Sequence, residues 1–213
     1  MGTLVIVIAD TDNHRTLVWS RFPRLVGQPA DHVVGQEAFE DATIRGGAVP
    51  LYQPRGVYFD GQRALFTSTF GCACALGIDG APSVDNPAFD FTVGEDAPTR
   101  VTATNFTQPS AMSGFGAGGL ALRDRVGNRV SLWRRFPEAP DRVPDLVLGK
   151  PDFTVGGAGI TPISASSLAW EQNGGISATD DVVVVPDQRR VLIWRGAPAH
   201  HFAPADLVIG QPG

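Results

Sequence analysis

Residues 9–19, ADTDNHRTLVW, bring two aspartates, an asparagine, a histidine and an arginine within six positions. The oxygen donors of Asp10, Asp12 and Asn13 resemble the start of a calcium loop, but the glycine and bidentate glutamate of such a loop are missing. Cys72-x-Cys74 offers two thiols. A metal pair or reactive thiol needs further ligands or a nearby base, and no other Cys or His lies close in sequence. His200 and His201 are adjacent and lack partners nearby, which reads as a polar loop. GFGAGG matches G-x-G-x-x-G through Gly114, Gly116 and Gly119, but a dinucleotide loop must open a helix. LALRD and NRVSLW follow instead, and both read as strands. No G-x-S-x-G, H-E-x-x-H or P-loop occurs.

These residues sit in a chain of 213 residues that is 43% hydrophobic and 18% charged, the balance of a compact fold. With 25 Gly and 17 Pro, turns must be frequent and long helices few. A net charge of −5 supplies no electrostatic footprint for nucleic acid. Lys150 is the only lysine, and this Arg bias with abundant Ala, Gly and Pro is what a GC-rich bacterial genome produces. TLVIVIA is too short for a membrane span and lacks the basic segment of a secretory signal. A cytoplasmic location follows if Met1 is the natural start. Two cysteines are too few for a disulfide scaffold.

A repeat positions everything else. ADHVVGQ, AFDFTVGE, PDLVLGK and ADLVIGQ each carry an Asp four residues before a Gly, at Asp31, Asp90, Asp145 and Asp206, spaced 59, 55 and 61 residues apart. HRTLVW, NRVSLW and RRVLIW end at Trp19, Trp133 and Trp194, with ACALGI ending at Ile78; these landmarks give the same three spacings. LYQPRGVYFDG, FTQPSAMSGFG and WEQNGGISATD align from Leu51, Phe106 and Trp170. Each unit reads as four short strands rich in Val, Ile, Leu and aromatics, bounded by Gly, Pro, Asn and Asp. The units run approximately 1–50, 51–105, 106–166 and 167–213, with the first beginning at its second strand. Four-stranded units of this size bury their faces only by stacking, and radial stacking makes an all-β propeller. The expectation is one propeller domain over 1–213 with fifteen strands.

IADTDNHRTLVW resembles the signature of NHL-repeat β-propellers, and ADLVIGQP resembles the outer strand of a bacterial subgroup of them. The resemblance implies that Asp10, Asn13 and Arg15 tie backbone groups between the second and third strands. Arg15, Arg129 and Arg190 share one repeat position, as a structural part would and an active site would not. The second unit has lost the signature. Phe70 and Cys72 enter its turn, Cys74 replaces Arg, and Ile78 replaces Trp. A Cys-x-Cys on a strand would point both sulfurs to one face, here a buried apolar one.

Three readings of closure stay open: a four-bladed ring with one three-stranded blade, two chains pooling their units, or a piece of a longer propeller. The incomplete blade leaves a strand edge that invites pairing with a second copy. NFT at Asn105 is a glycosylation sequon only in a secretory host. Arg21, Arg134, Arg135 and Arg195 follow the Trp positions on one rim. Some NHL-repeat proteins bind RNA through strongly basic surfaces, which a chain of charge −5 does not offer.

The function expected is a non-catalytic binding or scaffold module for a protein, peptide or small ligand, with no nucleic-acid or membrane partner and no cofactor named by the sequence. The candidate binding residues are Phe70, Cys72 and Cys74 in the divergent unit, and Asp60, Asp180 and Asp181 at the inner strands. The resemblance also carries an alternative, a metal-dependent lyase or lactonase with a site at the central channel, to which those three aspartates would contribute. A structural building block of a larger assembly is the third reading.

Overall fold

The computed structural model describes residues 5–41, 43, 51–95, 102–157, 163–169 and 174–210. Among the described residues, fifteen strands form four antiparallel sheets. The first holds β1 (Ile6–Asp10), β2 (Arg15–Trp19) and β3 (His32–Val34), with a short 3-10 turn at Thr11–Asn13. The second holds β4 (Val57–Phe59), β5 (Arg63–Ser68), β6 (Cys74–Asp79) and β7 (Phe91–Val93). The third holds β8 (Pro109–Phe115), β9 (Gly119–Asp124), β10 (Arg129–Trp133) and β11 (Leu146–Leu148). The fourth holds β12 (Ser177–Ala178), β13 (Val182–Asp187), β14 (Arg190–Arg195) and β15 (Leu207–Gly210). Each sheet is an up-and-down meander, and the first has three strands as the repeat alignment requires. Among the described residues no helix is long and apolar enough to cross a membrane.

The Asp and Gly landmarks do the same work in every unit, and the Trp landmark in the three units that carry it. The carboxylates of Asp31, Asp90, Asp145 and Asp206 accept the N–H of Ser20, Asp79, Arg134 and Arg195 at 2.6–2.8 Å, closing the loop between third and fourth strands. The indole N–H groups of Trp19, Trp133 and Trp194 donate to the carbonyls of Gln28, Arg142 and Ala203 within the same loop. Gly35, Gly94, Gly149 and Gly210 all have φ between 85° and 104°, a region that glycine alone enters cheaply. GFGAGG is a hairpin: Gly114 lies in β8, Gly116 in the turn, and Gly119 opens β9.

The alternation of two within each strand assigns one side chain to each face of a sheet. Both faces become core because sheets stack on each other. One buried cluster joins the first and second sheets through Val18 and Val34 against Ala64, Phe66 and Ile78. A second joins the second and third through Leu65, Ala75 and Val93 against Leu120, Leu122 and Trp133. A third joins the third and fourth through Ala121, Val130, Leu132 and Leu148 against Val183, Val185 and Trp194. The innermost strands β4, β8 and β12 lie side by side, as blades do around an axis. None of the three clusters draws on both the first and the fourth sheet.

Candidate functional site

All four turns between second and third strands lie at one end of the sheets, and three of them hold an Asp–Arg pair. Arg15 Nε lies 2.7 Å from Asp10, Arg129 Nε lies 3.4 Å from Asp124, and Arg190 lies 2.8 Å from Asp187. The guanidiniums reach well beyond their own turns. Arg15 donates to Phe39 O, Arg129 to Thr102 O, Asn105 O and Phe153 O, and Arg190 to Ser164 O and Ser167 O. Asp124 in turn accepts from the N–H groups of Thr107, Gln108 and Gly127. Burial pushes the Arg129 pKa down, and Asp124 opposes that shift. The signature is therefore a structural tether, and it binds inter-sheet loops rather than only the turn it sits in. Asn105, the sequon residue, is buried, so NFT is not presented to solvent.

In the second unit Thr69, Cys72 and Cys74 stand where the first has Asp10, Asn13 and Arg15. Only Cys74 lies on a strand; Cys72 lies in the turn and forms a disulfide with Cys74, so the two thiols are neither free nor both on β6. The turn between them keeps its shape, since Ala73 has φ 50° where His14 has 55° and Asn128 has 51°. A covalent bond thus occupies the place of the ion-pair tether.

Around this turn the fold gathers an aromatic patch. Tyr52 meets His14 edge-on at 4.9 Å and lies tilted against Phe70 at 5.8 Å between ring centroids. Phe70 is 45% exposed, although it is a large apolar side chain. Three separate segments supply the rings, held together by Thr69 N–H and Thr11 Oγ1, which donate to Tyr52 O and Pro54 O. His14 Nδ1 accepts from Gln53 N–H, which leaves the proton of the neutral ring on Nε2, facing away from that bond. Arg55 lies three residues beyond Tyr52, its buried Nε without an acceptor among the described residues. Arg125 lies close enough to Arg55 for the two charges to interact, and its pKa is lowered first by burial and then by Arg55. Such a patch can take an apolar or aromatic group and hold a negative charge beside it.

The three aspartates sit at the opposite end of the strands. Asp60 Oδ1 accepts from the N–H groups of Gln62 and Arg63, capping the β4–β5 turn. Asp180 and Asp181 are exposed in the equivalent β12–β13 turn, where Asp181 N–H bonds Thr179 Oγ1. The structure brings Phe70, Cys72 and Cys74 together and leaves Asp60 apart from them. Among the described residues, no group of three or more His, Cys, Asp or Glu is placed to hold a metal ion.

At that second end, a cavity of about 300 Å³ lies between the second and third sheets, lined by Arg63, Asp79, Asp90, Phe91, Phe136 and Glu138. Arg63 stacks over the Phe136 ring at 4.1 Å, and Phe136 meets Phe91 edge-on at 5.7 Å. His201, in the loop preceding β15, accepts from Val147 N–H and meets Phe153 edge-on, so it ties two sheets rather than dangling in a free loop. Tyr52, His14 and the Arg55–Arg125 pair were missed by sequence reasoning, because no local pattern links four segments.

No protein-family profile matches the chain, and no curated protein does either. Among solved structures, the chain is similar to Hsv2 of Kluyvelomyces marxianus, at 8% identity and TM-score 0.37, over 74% of this chain and 37% of that one. It is also similar to KlHsv2 with loop 6CD replaced by a Gly-Ser linker, at 14% identity and TM-score 0.45, over 91% of this chain and 50% of that one. The chain spans half or less of the length of these structures.

Proposed function

We propose that this chain is a non-catalytic binding module that takes a protein or peptide segment on the rim formed by His14, Tyr52, Phe70 and the Cys72–Cys74 turn. The observation that carries this reading is Phe70, 45% exposed against Tyr52 in the one unit where the tether is replaced by a disulfide. The other three turns spend their polar residues on holding loops; this one displays a ring instead. The partner would insert an apolar or aromatic side chain beside Phe70 and set an acidic group towards Arg55 and Arg125. Kinship with NHL-repeat propellers, which the 9–19 signature suggests, agrees with a binding role, since loops at the ends of such sheets are free to diversify.

The test is a random peptide library displayed on phage and selected on the intact chain. Enriched peptides should contain an aromatic or large apolar residue near Asp or Glu. Their binding should fall about tenfold or more with Phe70→Ala, the loss of one well-buried anchor. Enriched peptides indifferent to Phe70→Ala, or no enrichment at all, would sink the reading.

A further inference from the structure

The three internal junctions share one construction. In each, the second-strand, third-strand and fourth-strand residues of one parity face the following sheet, and those of the other parity face the preceding sheet. Leu65, Ala75 and Val93 of the second sheet face forward, and Leu120, Leu122 and Trp133 of the third face back to meet them. The register carries this assignment onto the end sheets. On the fourth sheet the forward positions are Val184, Val191, Ile193, Leu207 and Ile209, with Val184, Ile193 and Leu207 in one row and Val191 and Ile209 in the next. On the first sheet the backward positions are Ile6, Ile8, Leu17, Trp19 and the buried Val33, with Ile8 opposite Leu17, Ile6 opposite Trp19 and Val33 opposite Leu17.

These two sets are mainly apolar; Ile8, Leu207 and Ile209 are exposed and the others, Val33 apart, are half-buried. Ile8 is 48% exposed, whereas its counterparts Phe66, Leu122 and Val185 are fully buried. Ile209 is 53% exposed, whereas Val34, Val93 and Leu148 are at most 1% exposed. Of the ten exposed large apolar side chains among the described residues, Ile8, Leu207 and Ile209 lie on these faces, and Phe22, Leu25 and Val26 lie in the loop beside the first. Six of ten on two surfaces is concentration, not scatter.

That loop matches a device used inside the chain. At the first junction Asn86 N–H donates to Val33 O, and at the third Phe202 N–H donates to Val147 O, each loop reaching the outer strand of the preceding sheet. The equivalent residue of the first unit is Gly27. It has φ 73°, in the same left-handed region as Asn86 at 44° and Phe202 at 55°. The outer-strand residue equivalent to Val33 and Val147 is Val208. Phe22 likewise takes the place of Phe136, which packs on Phe91 of the preceding sheet, and Leu207 takes the place of Phe91. The side-chain acceptors Asp85 and His201 have no equivalent here, because Val26 stands at that position.

We propose that two copies of this chain close head to tail into one ring, the last sheet of each packing on the first sheet of the other. The occupant is a second copy because the two faces are the two halves of one junction, which the chain itself builds three times. Phe22 would meet Leu207 of the second copy, and Gly27 N–H would meet its Val208 carbonyl. Two copies bring eight sheets, within the four to eight blades that propellers typically hold, whereas three would bring twelve. The contact joins unlike surfaces, so it stays finite only because the ring closes.

The test is sedimentation equilibrium of the untagged chain and two variants at exposed positions, Ile8→Asp and Ile209→Asp, with Val84→Asp as a control away from both faces. The wild type and Val84→Asp should be dimers. Each of the other two should weaken association about tenfold or more, since a carboxylate would enter both equivalent junctions. Mixing Ile8→Asp with Ile209→Asp should restore association, because a mixed pair has one junction free of carboxylates. Circular dichroism melts confirm that each variant is folded, and a variant that unfolds is replaced by Thr at the same position. A monomeric wild type, open-ended growth with concentration, or no gain on mixing would overturn the proposal.

Discussion

Arg129 and Asp124 lie 3.4 Å apart with neither side chain exposed, and between them they engage six backbone groups from the loops around the third sheet. Arg129→Met leaves a buried carboxylate and three carbonyls without their cation. The expected cost is about 3–5 kcal/mol, the range for breaking a buried pair from one side. Urea unfolding measures it. A loss below about 1 kcal/mol would mean that the pair is not the tether described.

Gly149 sits at φ 85°, and a Cβ there would lie 2.6 Å from Asn128 O, a backbone atom that cannot step aside. Gly149→Ala combines the left-handed penalty with a clash, and about 2–4 kcal/mol of stability should be lost. Gly175→Ala is the control, since nothing lies within 4 Å of the added atom and its φ is ordinary. Equal melting temperatures for the two variants would remove the explanation given for the repeating glycine.

The Cys72–Cys74 bond closes a very short loop. Chain-entropy arguments give such a bond about 1–2 kcal/mol. Replacing both cysteines by Ser should lower stability by that amount and add sensitivity to reductant to the list of wild-type properties the variant lacks. If the wild type unfolds at the same urea concentration with and without reductant, the bond contributes nothing to this turn.

Asp152 accepts from the Thr154 hydroxyl and N–H and from Val155 N–H, and these bonds hold its carboxyl below the ordinary range, led by the hydroxyl. A depressed folded pKa means that this contribution is present above the unfolded pKa and is lost as pH falls through the folded one. Thr154→Ala should raise the Asp152 pKa towards its usual value, read by NMR titration. An unchanged titration would show that the hydroxyl is not the main cause.

The chain's own residue types determine its period, its strand order and the three-stranded first sheet. Those follow from local chemistry: alternating apolar residues make strands, Asp caps a loop four residues before the glycine, and that glycine takes a conformation other residues avoid. The same patterning exposed the G-x-G-x-x-G match as a hairpin and the Asp10–Arg15 signature as a structural part. Residue types alone did not show how far Arg129 reaches, because its carbonyl partners lie 24 or more residues away in both directions. They placed Phe70, Cys72 and Cys74 in one divergent turn but could not add Tyr52, from a distant segment of the same unit, or His14, from the first unit. Nor could they show that Ile8 and Ile209 are bare where their repeat equivalents are buried. Burial is a property of what stacks on a sheet, and only the tertiary arrangement decides which faces meet a neighbour.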